Sequence, residues 1–99
     1  MEDITTNELK ERLANGEKPF IVDVREPHEY EEFNIGALNI PLGSLPQRLD
    51  ELESHKDEEI ILHCRSGARS GNAKAYLLQQ GFPKVRNLLG GMLAWQAQG

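Results

Sequence analysis

Ile60-Ile61-Leu62-His63-Cys64-Arg65-Ser66-Gly67-Ala68-Arg69-Ser70 joins an apolar run to a helical stretch through a loop of small side chains. So short an apolar run, closed at once by turn residues, reads as a strand covered on both faces. Behind the loop, Ala73, Ala75, Tyr76, Leu77 and Leu78 continue as a helix that Gly81 ends. A strand that turns directly into a helix is the repeating unit of parallel α/β sheets.

The same alternation extends in both directions. Upstream, Phe20-Ile21-Val22-Asp23-Val24 is a second nearly continuous apolar strand, ending at Asp23-Val24-Arg25. Pro27 opens a short helical stretch through Tyr30 and Phe33, and Ala37-Leu38-Asn39-Ile40 is a short strand stopped by Pro41. Thr5 with Glu8 has the form of a capping box, with Leu9 and Leu13 at helical spacing before Asn15-Gly16, so the first helix is expected over about 6–14. Ser44 is the expected cap of a helix burying Leu45, Leu49 and Leu52. Downstream, Val85 to Leu88 is the last strand, Gly90-Gly91 a tight turn, and Met92 to Gln98 a closing helix with Trp95. The expected fold is α/β, a central mainly parallel five-stranded sheet flanked by helices on both faces, in one domain over 1–99.

Composition narrows the function classes. Ninety-nine residues with 38% apolar content close one modest core. Eleven Lys and Arg against sixteen Asp and Glu leave a net charge of −5, with no basic stripe, so no nucleic-acid partner is expected. No window is long and apolar enough for a bilayer, so no membrane association is expected. Met1-Glu2-Asp3-Ile4 lacks the basic start of a secretory leader, which places the expectation in the cytoplasm. The acidic run Glu26, Glu29, Glu31 and Glu32 reads most simply as a solvated helix face. His28 and His55 stand in polar segments and need no special role.

Cys64 is the only cysteine, so it forms no internal disulfide, and no Cys/His cluster has zinc spacing; neither a metal nor a cofactor is expected. The plain reading of a lone cysteine is a small buried hydrophobe finishing a strand. The loop argues for chemistry instead. Ser66, Gly67, Ala68 and Ser70 are small enough for the backbone to curl and aim several N–H groups at the sulfur. Such a ring, with the positive end of the following helix, holds a thiolate and lowers the thiol pKa. Arg65 and Arg69 then supply positive charge at the rim for an anionic substrate. Asp23 and Arg25, at the carboxyl end of a buried strand, are expected to support the loop, with Arg25 reaching Glu29 or Glu26. His63, one residue before the cysteine on a strand, is expected to face away from it and to be structural.

These pieces together resemble the rhodanese family of sulfurtransferases. The resemblance rests on Asp23-Val24-Arg25-Glu26 with Glu29-Tyr30, on Gly36-Ala37-Leu38-Asn39-Ile40-Pro41, on Cys64-Arg65-Ser66-Gly67-Ala68-Arg69-Ser70, and on Leu89-Gly90-Gly91 followed by Trp95. It implies a parallel sheet flanked by helices and Cys64 as the nucleophile. Cys64 would take a sulfane sulfur from a small anionic donor such as thiosulfate, hold it as a persulfide cradled by the amides of residues 65–70, and pass it to a thiol, a protein or cyanide. Between Tyr30 and Gly36 the chain is one residue shorter than much of the family, a variant that resembles the rhodanese modules attached to adenylating enzymes of molybdopterin or thiocarboxylate biosynthesis and implies a sulfur-relay partner.

Two alternatives use the same residues. A phosphatase of the rhodanese-related dual-specificity class places its arginine six positions after the cysteine, whereas Arg69 stands five after Cys64 and Ser70 holds the sixth position. A non-catalytic rhodanese-like binding or regulatory module would have no need of Cys64.

Overall fold

A computed structural model describes residues 1–98. Helix α1 spans Thr6–Ala14, strand β1 Phe20–Asp23, helix α2 Pro27–Glu32 and strand β2 Leu38–Asn39. Two 3₁₀ segments follow, Leu42–Glu51 and Glu53–His55, then β3 Ile60–His63, α3 Ala68–Gln79, β4 Val85–Asn87 and α4 Gly91–Ala97.

The strands form one sheet in the order β2-β1-β3-β4, and every ladder is parallel. Among the described residues, four strands replace the five expected. The place of a fifth is taken by a single parallel bridge between Ile4 and Leu88, where Ile4 N–H donates to Asn87 O at 3.0 Å and Leu89 N–H to Ile4 O at 2.9 Å. One residue of pairing is all that fits before Thr5 turns the chain into α1, its hydroxyl oxygen accepting from Glu8 N–H at 3.1 Å. The reciprocal half of the expected capping box is missing, because the Glu8 carboxylate pairs with Arg86 instead.

Alternation along the strands divides the core. Val22, Leu62 and Val85 face α3 and the 3₁₀ segments with Leu45, Leu52, Ala73 and Leu77, whereas Ile21 and Ile61 face Leu9 of α1 and Met92 of α4. Helical layers therefore cover both faces, as the apolar runs require. The segment expected as a Ser44-capped helix starts at Leu42 behind Pro41, three residues earlier, and winds as 3₁₀. Pro46 inside it has no N–H to offer, and the backbone leaves helical values at Arg48, so no longer α-helix propagates.

Candidate active site around Cys64

Cys64 follows the last residue of β3 on the carboxyl edge of the sheet, where loops converge in parallel folds. Its residue is 1% exposed and its flank belongs to the α3-side core, so the plain reading of a buried small hydrophobe holds for one side of the thiol. The other side is polar. Gly67 N–H points at Sγ from 3.1 Å, Ser70 N–H from 3.4 Å, and the Ser70 hydroxyl oxygen lies 3.3 Å away. Gly67 has φ +103°, a left-handed turn that swings the chain from the strand into α3 and that a side chain would strain. Burial alone pushes the thiol pKa up; the Ser70 hydroxyl and the amides of Ser70, Gly67 and Ser66 outweigh it, and the pKa falls below the ordinary thiol value. The amides of Arg65, Ala68 and Arg69, expected in the same ring, make no hydrogen bond to Sγ.

The carbonyls of the loop face the other way. Met92 N–H donates to Cys64 O at 3.0 Å and Leu93 N–H to Arg65 O at 2.9 Å. Gly91 brings these amides close enough: it has φ +54°, and a Cβ there would lie 2.5 Å from Cys64 O and 2.6 Å from Arg65 O. Satisfying those carbonyls from α4 leaves the amide side of the loop free to face the sulfur. The Met92 side chain is buried. The backbone contacts of Met92 and Leu93 to the loop were not part of the expectation for the closing helix; their signal was the Gly90-Gly91 pair.

Asn87 was missed as well. It ends β4, only 8% exposed, with Nδ2 donating to Gly67 O at 3.0 Å and Oδ1 accepting from the Ser70 hydroxyl at 2.5 Å. A polar residue ending a buried strand on the site edge was the available signal, the one that had singled out Asp23.

The arginines divide. Arg69 is held by Glu29 of α2 through two bonds of 2.7 and 2.9 Å, so its charge at the rim is neutralised. The same pairing, together with the Glu26 amide, holds the Glu29 carboxyl well below the carboxylate range, at about 2. Arg65 is exposed and lines a cleft of about 160 Å³ with Arg25, Glu29, Glu32, Phe33 and Leu93, and among the described residues it has no carboxylate partner. Ser66 and Ala68 are exposed between them.

Asp23 and Arg25, expected to support the loop, bond to each other instead and make no hydrogen bond to residues 64–70. Arg25 reaches neither Glu29 nor Glu26: its guanidinium closes on Asp23 at 2.7 Å and also donates to Phe33 O at 2.7 Å. Asp23 further accepts from the Arg25 amide at 2.9 Å, a compact loop that a two-residue separation favours over the longer reach. His63 lies on the face of Ile61, away from Cys64, as strand alternation requires. It is fully buried, neither ring nitrogen has a hydrogen-bond partner among the described residues, and burial holds its pKa at about 4 against the weaker pull of Asp23, 3.6 Å away. The ring is therefore neutral and supplies no charge to the thiolate.

The whole-chain likenesses agree with this arrangement. The profile of the Rhodanese-like domain matches residues 5–98. A protein of Allochromatium vinosum named Sulfurtransferase is 43% identical over 98% of this chain and 90% of its own length. The solved structure of a Staphylococcus saprophyticus protein is 36% identical, with TM-score 0.88 over 100% of this chain and 97% of the other. The Arabidopsis thaliana Adenylyltransferase and sulfurtransferase MOCS3 is 34% identical over 95% of this chain, which spans 24% of that longer protein. With the parallel sheet, the amide-ringed cysteine and a match over nearly its whole length, this chain belongs to the rhodanese-like domain family and is a sulfurtransferase of that kind.

Proposed function

We propose that Cys64 carries sulfur as a persulfide between a sulfane donor and a thiol acceptor. The thiolate attacks the outer sulfur of a donor such as thiosulfate; a new S–S bond forms on Cys64, the donor S–S bond breaks, and its electron pair leaves with sulfite. An acceptor thiolate or cyanide then attacks the outer sulfur, takes it as a persulfide or as thiocyanate, and returns Cys64 to the thiolate. Splitting one transfer into two displacements requires a nucleophile that is ionised before either substrate binds.

The single observation that supports this reading most is the convergence of two amides and one hydroxyl on Cys64 Sγ within 3.4 Å. Arg65, at the mouth and without a carboxylate partner among the described residues, draws in an anionic donor. The amides of Arg65, Ala68 and Arg69, which leave Sγ alone, are the candidates to receive the outer sulfur. The likeness to part of an adenylyltransferase and sulfurtransferase supports an acceptor thiol borne by a protein in a sulfur relay. No described helix is long and apolar enough to cross a membrane, which is compatible with a cytoplasmic site of action.

Intact-mass measurement tests the proposal. Thiosulfate treatment is expected to add one sulfur atom to the protein and none to Cys64→Ser. No gain from thiosulfate, from mercaptopyruvate or from a cysteine desulfurase would overturn it. Turnover of an aryl phosphate in place of sulfur loading would favour the phosphatase.

A further inference from the structure

The Ser70 hydroxyl has one proton and two neighbours that both want it. Oγ lies 3.3 Å from Cys64 Sγ and 2.5 Å from Asn87 Oδ1. The Asn87 amide cannot be turned round, because its other end meets Gly67 O at 3.0 Å, and a carbonyl accepts only from the nitrogen. Oδ1 therefore faces Ser70 and, having no proton of its own, must receive the serine's. With Cys64 as a thiol, the chain S–H to Oγ–H to Oδ1 satisfies every member. With Cys64 as a thiolate it does not: either the hydroxyl turns to the sulfur and leaves Oδ1 bare in a buried site, or it stays and the sulfur loses a donor.

We propose that Asn87 is a positioning residue that competes with Cys64 for the Ser70 proton, so that the hydroxyl turns to the sulfur in the thiolate and returns to Asn87 when the charge has moved to the outer sulfur of the persulfide. This rests on the persulfide reading above and adds to it a residue that sets how strongly the resting thiolate is held. A cradle that held the thiolate too well would resist loading. Asn87 offsets part of that hold, favouring the loaded state and keeping the thiolate nucleophilic, since nucleophilicity falls as thiol pKa falls. Asn87 is itself fixed: Asp3 Oδ1 accepts from its backbone N–H at 2.9 Å, and Lys74 of α3 holds Asp3 at 2.6 Å. The other charged or titratable groups around Cys64 are neutral His63, the Arg69–Glu29 pair, Glu26 and Arg65, together with Lys74 and Asp3 behind Asn87. All of them are common to the variants compared below.

The test is a double-mutant cycle on the pH dependence of Cys64 alkylation by iodoacetamide, which needs no sulfur transfer. Asn87→Ala frees the hydroxyl for the sulfur but also removes the strut on Gly67; Ser70→Ala with Asn87→Ala reports the strut alone. The expected coupling is a thiol pKa lower by about one unit for Asn87→Ala when Ser70 is present than when it is Ala, a tenfold gain in thiolate fraction. The high-pH alkylation plateau is expected to fall about threefold with it. Asn87→Asp, a stronger acceptor with no donor for Gly67, is expected to raise the pKa, and by more with Ser70 than without. Equal Asn87→Ala shifts in both backgrounds, or coupling of opposite sign, would overturn the proposal; thermal unfolding of each variant identifies those that fold. Failure of the persulfide reading would appear separately, as no sulfur gained by the unmodified protein.

Discussion

Arg65 and Arg69 carry the same charge in one loop, but the Glu29 carboxylate cancels only the second. Donor selectivity should follow that difference. Arg65→Ala is expected to lower kcat/KM for thiosulfate by about tenfold while changing a neutral sulfane donor by less than about twofold. Glu29→Gln releases Arg69 and is expected to raise kcat/KM for thiosulfate several-fold, measured by initial rates at low salt. An unchanged or lower value would show that the pair orders α2 and the loop and does not mask charge. His63 makes a second prediction at this scale. Its pKa is about 4 in the fold, below the ordinary 6.5, so the folded state binds the proton less well than the unfolded chain. The stability this confers is complete above pH 6.5 and is lost as pH falls from there through about 4, up to about 3 kcal/mol. Urea midpoints of the native protein should fall across that window. Those of His63→Leu should stay nearly level from pH 6.5 to about 5, above the range where Glu29 and the other low-held carboxylates begin to take up protons, since Arg25 still satisfies Asp23.

At the scale of elements, the cradle is shaped by α4 as much as by its own residues. Gly91 lets the α4 amides reach the carbonyls of Cys64 and Arg65, and the atoms that a Cβ would meet there are backbone atoms with little room to yield. Gly91→Ala is expected to cost more than about 2 kcal/mol in denaturant unfolding and to lose most sulfur loading, because the loop must shift. A stable, fully active variant would show that the α4 contact does not set the amide directions. This contact was not legible in the sequence. Strand periodicity and turn residues give β1, β3 and α1 within a residue or two, since each is decided by its own neighbours. Which amide meets which carbonyl across the sheet edge depends on tertiary approach, and Gly90-Gly91 announces only that the backbone comes close. The 3₁₀ winding after Pro41 eluded the pattern for a related reason: apolar spacing at Leu45, Leu49 and Leu52 suits either helix, and the proline decides.

Across the whole molecule, the site is assembled from four places in the chain: the loop after β3, Asn87 at the end of β4, the start of α4, and Glu29 of α2. The sequence identified the first and the fold class. The partners that tune the loop come from distant segments and leave only single polar residues as signs. Even the chain's first residues contribute, since Ile4 completes the sheet edge and Asp3 braces Asn87. All of this converges on one sulfur whose negative charge is shared by surrounding N–H and O–H groups. The pH dependence of Cys64 alkylation in the native protein measures that directly. A midpoint below the roughly 8.5 of free cysteine, moved upward by Ser70→Ala, is the predicted result. A midpoint at or above the free value would contradict it.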